Sequence, residues 1–404
     1  MSAAAEAGDL AWPFFDDGHR AYAHDCAKWA EHSLPPLVEG AEADLDAVYA
    51  CVRRLVGELG RAGVLRACVP RAYGGLRQEL DVRSLCLARE TLARASGLAD
   101  FALAMQGLGS APVTLFGTHA QKLALLPGVA EGRTVTAFAL SEPDAGSDVA
   151  AISTTAARVQ GGWRLDGVKT WISNAGLADS YVVFARSGEA PGSRGLSAFI
   201  VDARTAGLDA SERIDVIAPH PLGTLRLNDC RVADDRLLGV PGQGFKIAMG
   251  TLDTFRTSVG AAALGMARRA LDEALARAGS RHLFGRKLAE FQLTQLKLGE
   301  MALSIDASAL LAYRAAWTKD VLRTRVTREA SMAKLFCTES AQQVIDAAVQ
   351  LFGGMGVVRG MPVERLYREV RALRIYEGAS DVLKLIIGAS TLQGARATAG
   401  SHGT

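Results

Sequence analysis

Apolar residues recur at helical spacing from Asp17 to about Phe116: Leu45, Val48, Val52, Leu55 and Leu59 form one stripe, and Leu85, Leu87 and Leu92 belong to another. Residues 70–75, Pro-Arg-Ala-Tyr-Gly-Gly, read as a turn between two of these helices. Near Thr134 the period falls to two. Residues 134–140, 163–165, 168–172, 181–184 and 196–201 alternate as strands, and Asp166-Gly167 reads as a hairpin turn. The helical period returns over 245–280, 292–322 and 328–351, with a fourth apolar run at 382–387. Short connections favour antiparallel neighbours. The pattern predicts an α+β, mostly helical, multi-domain chain. Its parts are an N-terminal helical domain (1–132), a middle β-barrel-like domain (133–244) and a C-terminal four-helix bundle (245–404). The small, polar tail from Gly394 is expected to be disordered.

Composition narrows the class. The 404 residues, 49% of them hydrophobic, suffice for two or three domains with substantial cores. A net charge of +2 with 22% charged residues argues against a nucleic-acid or membrane-surface binder. The cysteines, Cys26, Cys51, Cys68, Cys86, Cys230 and Cys337, form no CxxC pair and no cluster with histidine, so neither a disulfide frame nor a metal site is expected. The first residues lack a basic start and apolar core, and no apolar run approaches membrane-spanning length. A soluble cytoplasmic protein is the expectation.

Three stretches carry candidate chemistry. Residues 140–148, Leu-Ser-Glu-Pro-Asp-Ala-Gly-Ser-Asp, follow a predicted strand. Their amides and hydroxyls can cradle an anion or an electron-rich ring edge, or simply form a Ser/Asp/Gly turn. Trp171, beside Ser173 and Asn174 at a strand end, can stack on a planar cofactor or fill a core. Glu377 lies between Tyr376 and Gly378, just before the last apolar run. Gly378 permits a sharp turn, and Ser380 is placed to N-cap the helix that follows. A carboxylate desolvated there has the raised pKa of a general base; the alternative is a first-turn helix glutamate facing the dipole. Gly353-Gly354-Met355-Gly356 follows a helix rather than a strand, which disfavours a Rossmann or P-loop site.

Together, residues 140–148, residues 169–174, Arg281-His-Leu-Phe-Gly285, Gln350-Leu-Phe-Gly-Gly-Met-Gly356 and Ile375-Tyr-Glu-Gly378 resemble, in order and spacing, the acyl-CoA dehydrogenase family of flavoproteins. The resemblance runs from about residue 70 to about 390. It implies FAD as cofactor, with Phe138, Leu140, Ser141, Gly146, Trp171, Ile172 and Ser173 around the flavin. It places Ser147 within reach of both flavin and acyl-CoA, and Asp253, Arg256, Tyr376 and Gly378 against the substrate. Arg281, Phe284, Gln292, Gln350, Gly353 and Gly354 would grip the FAD of a neighbouring subunit in a homotetramer, a dimer of dimers. Ala379, Ser380 and Asp381 take the positions of further cofactor contacts.

The same resemblance implies the reaction. Glu377 removes the α-proton of an acyl thioester while the β-hydrogen leaves as hydride to flavin N5, and an electron-transfer flavoprotein takes the electrons. The base's own amide and a ribityl hydroxyl would bind the thioester oxygen. Some members carry the base on the helix of Asp253 and Arg256; here Thr254, Phe255 and Thr257 are not acidic, which leaves Glu377. The fold also hosts flavin oxidases and dehydrogenases of acyl-carrier-protein thioesters. It hosts flavin monooxygenases too, but those need no base at the Glu377 position, so its presence argues against them. A cofactor-free helical adaptor is the reading from a different class. Ala379 and Asp381 depart from the family's usual Thr or Pro and Glu or Gln, and residues 217–228 lack its Arg/Ser/Thr-rich segment. Bulky Met105 and Phe255 point to a short, branched or cyclic acyl group.

Overall fold

The computed structural model describes residues 8–188 and 190–401, with side chains as far as residue 393. The extreme start, where no targeting segment is expected, and the last three residues of the expected disordered tail lie outside the described residues. In chain order come α1 (Asp17–His32), α2 (Leu45–Arg61), α3 (Val82–Ala95), α4 (Gly97–Phe116) and α5 (His119–Ala130). Strands β1 (Thr136–Ala139), β2 (Thr155–Val159), β3 (Gly162–Ser173), β4 (Ser180–Arg186), β5 (Leu196–Asp202), β6 (Leu208–Arg213), β7 (Leu222–Ala233) and β8 (Leu237–Leu238) follow. The long helices that follow are α6 (Gly244–Ser280), α7 (Gln292–Trp317), α8 (Thr327–Phe352), α9 (Pro362–Leu373) and α10 (Ser380–Ser401), with a short antiparallel pair, His282–Leu283 and Arg286–Lys287, between α6 and α7.

The chain forms two compact units, and the helices before β1 are divided between them. The helical unit comprises Met1–Ala30, Val82–Gly97 and Asp253–Thr404. Its core is built on small side chains, Ala262, Ala263, Ala267 and Ala270 from α6, Ala309 and Ala312 from α7, and Ala341 and Ala348 from α8, which let helix axes approach closely. Larger residues, Ile305, Tyr313, Val344 and Leu366, fill the spaces between them. A buried polar network ties the first residues in: Arg268 Nε meets Glu90 Oε1 at 2.6 Å, its Nη2 pairs with Asp9, and the Tyr313 hydroxyl donates to Glu90.

The second unit comprises Glu31–Asp81 and Leu98–Leu252. It holds an eight-stranded sheet of order β6-β7-β3-β2-β4-β5-β8, with β1 added in parallel to β4. Tyr181, Phe184, Phe199 and Leu225 are buried on it.

Three local expectations need correction. Asp166-Gly167 makes no hairpin: β3 runs unbroken through it, and the register slips between Leu165 and Gly167, where Gly167 has φ +149°. The pair is a β-bulge, and the turn into β3 is Gln160-Gly161, since Val159 pairs with Gly162. Residues 394–401, instead of fraying, continue α10 to Ser401, as the alanines at 395, 397 and 399 favour. The 292–322 segment is α-helical only to Trp317 and closes with a π-turn over Thr318–Leu322.

Candidate active site

In the second unit the loop at residues 140–148 is bolted to β3 by a buried ion pair. Lys169 Nζ, fully buried, lies 2.8 Å from Glu142 Oε1 and donates to the Leu140 carbonyl at 3.0 Å. Glu142 also accepts from the Ser153 amide at 2.6 Å, the Ser153 hydroxyl at 2.8 Å and the Thr154 amide at 2.9 Å. Burial alone would raise the Glu142 pKa, yet the Lys169 ammonium and these hydrogen bonds bring it down to about 2. Burial draws Lys169 down to about 8 against the pull of Glu142, so both partners are ionised at neutral pH. A buried charge pair holds only when its lone pairs and protons are met, as they are here.

Immediately after Lys169 the strand breaks register. Thr170 N–H donates to the Ser141 carbonyl at 3.0 Å, the β3–β7 pairing slips between Lys169 and Ile172, and Trp171 adopts φ 58°. A left-handed backbone costs a non-glycine residue roughly 1–2 kcal/mol, and such strain gathers at functional sites. Its effect is to leave the indole 59% exposed while Ile172 stays buried. Asn174, also left-handed at φ 64°, donates to the Thr136 carbonyl at 3.0 Å, and its Oδ1 is buried without a hydrogen-bond partner among the described residues. Ser141, Ser173 and Phe138 are half-buried, Gly146 and Ser147 are exposed, and a Cβ at Gly146 would meet nothing within 4 Å. Leu140, like Ile172, is buried and offers a ligand only its main chain. Residues 217–222 run beside this end, with Pro221 accepting from the Asn174 amide at 2.9 Å and the His220 ring 4.7 Å from that of Phe101. Met105, expected to shape a cavity, is buried.

In the helical unit Glu377 stands in the turn between α9 and α10, not in a helical first turn. It has φ 52°, Gly378 follows at φ +107°, and the Glu377 side chain is half-buried with Oε2 shielded from solvent. Two buried cations hold the turn by consecutive carbonyls: Arg256 Nε donates to Glu377 O at 3.2 Å and Lys334 Nζ to Gly378 O at 2.6 Å. Arg256 is oriented by Asp253 at 2.9 Å, whose second oxygen accepts from the Thr327 hydroxyl at 2.6 Å. Glu339 clasps the other side, pairing with Arg374 at 2.7 Å and accepting from the Ser380 hydroxyl. The expected N-cap role of Ser380 is thus corrected. Ser380 is already helical, and its hydroxyl donates to the Glu339 carboxylate instead of accepting from a first-turn amide. Tyr376 and Asp381 are exposed, with Asp381 3.1 Å from Lys384, and Ala379 is half-buried. Phe255 is buried in this unit's interior.

Farther along the same unit, Arg281, Gln292 and Gln350 are exposed and Phe284 is 94% exposed, itself left-handed at φ 49°. Gly353 and Gly354 have open space where a Cβ would be. Gln350 lines a cleft of about 400 Å³ with Lys297, Gln342, Arg371 and Arg374. Sequence reasoning missed Lys334, Glu339 and the Glu142–Lys169 pairing. A signal for Lys334 existed: a lone charge among Ala330, Ala333, Cys337 and Ala341. Among the described residues no group of His, Cys, Asp and Glu is arranged to hold a metal.

Comparison with known proteins bears on the whole chain. Family models described as acyl-CoA dehydrogenase N-terminal, middle and C-terminal domains match residues 16–133, 137–230 and 242–392. The human mitochondrial short-chain specific acyl-CoA dehydrogenase is 38% identical over 381 residues, 94% of this chain and 91% of its own. Among solved structures, butyryl-CoA dehydrogenase from Megasphaera elsdenii has a TM-score of 0.87 at 34% identity, covering 94% of this chain and 99% of that one. An acyl-CoA dehydrogenase complexed with FAD, from Bacillus anthracis, has a TM-score of 0.85 at 32% identity, covering 95% of this chain and 68% of that one.

Proposed function

The chain belongs to the acyl-CoA dehydrogenase family, and from that premise we propose that it removes hydrogen from the α and β carbons of an acyl-CoA, with Glu377 as the base. It is an oxidoreductase whose cofactor is FAD. The residues in hand fit that group: an exposed, strained indole at Trp171, an Asn174 oxygen three residues on that is buried without a partner among the described residues, and an open, firmly anchored loop at residues 140–148. Phe138, Ser141, Ser147, Trp171 and Ser173 would hold it. When bound, FAD supplies the acceptor for the β-hydrogen.

The observation that carries the role of Glu377 is its turn. A half-buried carboxylate on a left-handed residue, with its own carbonyl and the next one pinned by cations, is held in one place and partly shielded from water. That is what proton abstraction from a carbon acid requires: a fixed, desolvated base. Glu377 takes the α-proton on a carboxylate oxygen. Arg256 and Asp253, locked to each other, fix the α6 side of the turn, and Tyr376 and Gly378 flank the acyl thioester.

The similarity to short-chain and butyryl-CoA enzymes supports a short acyl group, and an electron-transfer flavoprotein is the proposed acceptor. A homotetramer is supported by the surface of the helical unit. Leu296, Leu303 and Leu310 lie one heptad apart along α7, all exposed, with Leu293 and Phe284 exposed as well. In such an assembly Arg281, Phe284, Gln292, Gln350, Gly353 and Gly354 would reach a neighbour's FAD. No helix among the described residues is long and apolar enough to cross a membrane.

The test is anaerobic mixing of the purified yellow protein with acyl-CoA thioesters of rising chain length. Butyryl-CoA is expected to bleach the flavin fastest, with long-chain thioesters slower. Faster bleaching by long chains would overturn the substrate assignment, and a colourless protein that takes up no FAD would overturn the reading as a whole.

A further inference from the structure

Lys334 is a cation in an apolar place. It is fully buried on α8 among Ala330, Ala333, Cys337 and Ala341, where an ammonium is costly unless its charge is used. The hydrogen bond from its Nζ goes to a neutral carbonyl, Gly378 O at 2.6 Å. A glutamine amide could serve that carbonyl without burying a charge. The charge must therefore act on something else.

The charged groups around the turn are few. From α6 come Asp253 and Arg256, from α8 Lys334 and Glu339, from the end of α9 Arg374, and from α10 Asp381 and Lys384. Asp253 is engaged with Arg256 and Thr327, Glu339 with Arg374 and Ser380, and Asp381 with Lys384. Of these cations, Lys334 alone forms no ion pair among the described residues, and Glu377 is the anion that acts on it most strongly.

We propose that Lys334 is a positioning residue for the base: with Arg256 it grips the two consecutive carbonyls of the Glu377–Gly378 turn, and its charge favours the ionised form of the Glu377 carboxylate, ready to accept a proton. This rests on the reading of Glu377 as the base and adds to it a second group on which proton abstraction depends. Burial draws the Lys334 pKa down to about 8, with Glu377 pulling it up and Arg256 pushing it down. The ammonium is therefore charged at neutral pH and loses its proton as the pH rises through about 8. Above that, the turn keeps its shape but loses its positive neighbour.

The experiment compares wild type, K334R, K334Q, K334M and E377Q as flavin-loaded enzymes. Anaerobic flavin reduction by butyryl-CoA is followed across pH, and the Glu377 carboxylate is titrated by infrared difference spectroscopy, its band assigned by its loss in E377Q. The acid limb of the wild-type rate, set by protonation of Glu377, should keep its position in K334R, which stays charged. In K334Q and K334M that limb and the Glu377 midpoint should both move up by about one unit, the usual effect of removing a nearby opposite charge, so the rate on the acid side of the limb should fall about tenfold. Should the neutral variants fail to retain flavin, the wild-type Glu377 band followed from pH 7 to 9 decides: a frequency shift as Lys334 loses its proton supports the role, and an unmoved band overturns it. If E377Q is reduced at the wild-type rate, the base assignment fails and Lys334 falls with it. If E377Q is inert but K334Q, K334M and K334R share the wild-type pH profile and Glu377 midpoint, Glu377 stands and the role of Lys334 is overturned.

Discussion

Glu377 and Trp171 share an uncommon trait: both are non-glycine residues held in left-handed backbone, and both carry a group to which the proposed function gives a part. At Glu377 the constraint extends to its neighbour. A Cβ at Gly378 would lie 3.0 Å from Leu383 Cδ2 in a conformation, φ +107°, that side chains avoid. Gly378→Ala is expected to destabilise the protein by about 1–3 kcal/mol, seen as a lower Tm; an unchanged Tm would mean the turn relaxes freely. At Trp171 the indole is expected to stack on the flavin. Trp171→Ala should weaken FAD binding about threefold to tenfold, the worth of one aromatic stacking contact, measured by fluorescence of released FAD. Equal affinity would place the flavin elsewhere.

At the scale of elements, the Glu142–Lys169 pair joins the 140–148 loop to β3. Because the Glu142 pKa is lower in the folded state than its ordinary 4.5, its contribution to stability is complete above 4.5 and is lost as pH falls toward about 2. Thermal melts of wild type should therefore fall over that window, and Glu142→Gln should remove this part of the pH dependence. The variant should also be less stable at neutral pH by about 3–5 kcal/mol, since it leaves Lys169 buried without its counter-charge. An acid profile identical to wild type would refute the pairing's role. Long elements such as α2 and α8 were legible in the sequence because their apolar period follows directly from helix geometry. Local chemistry was less so. Asp166-Gly167 looks the same whether it turns the chain or bulges one strand, and only the pairing of β3 with β7 decides. Ser380 was read as a cap because its true partner, Glu339, lies 41 residues away in sequence. The motifs around Glu377 and Trp171 were visible, yet the groups that fix them, Lys334 and Glu142, act through contacts that no local spacing reveals.

For the whole molecule, the proposed homotetramer would cover the exposed leucine row of α7 and the exposed Phe284 with other copies of the chain. Leu303→Glu should lower the assembled mass in light scattering and loosen FAD together, since the same copies would supply Arg281 and Gln350. A wild-type monomer that holds FAD tightly would contradict that. The central claim is that one carboxylate takes the α-proton, and loss of a positioned general base lowers the rate on the order of 10²–10⁴-fold. The most direct measurement is stopped-flow reduction of Glu377→Gln by butyryl-CoA without oxygen. The expected result is a folded, yellow protein whose colour persists after substrate binds. Bleaching at the wild-type rate would contradict it.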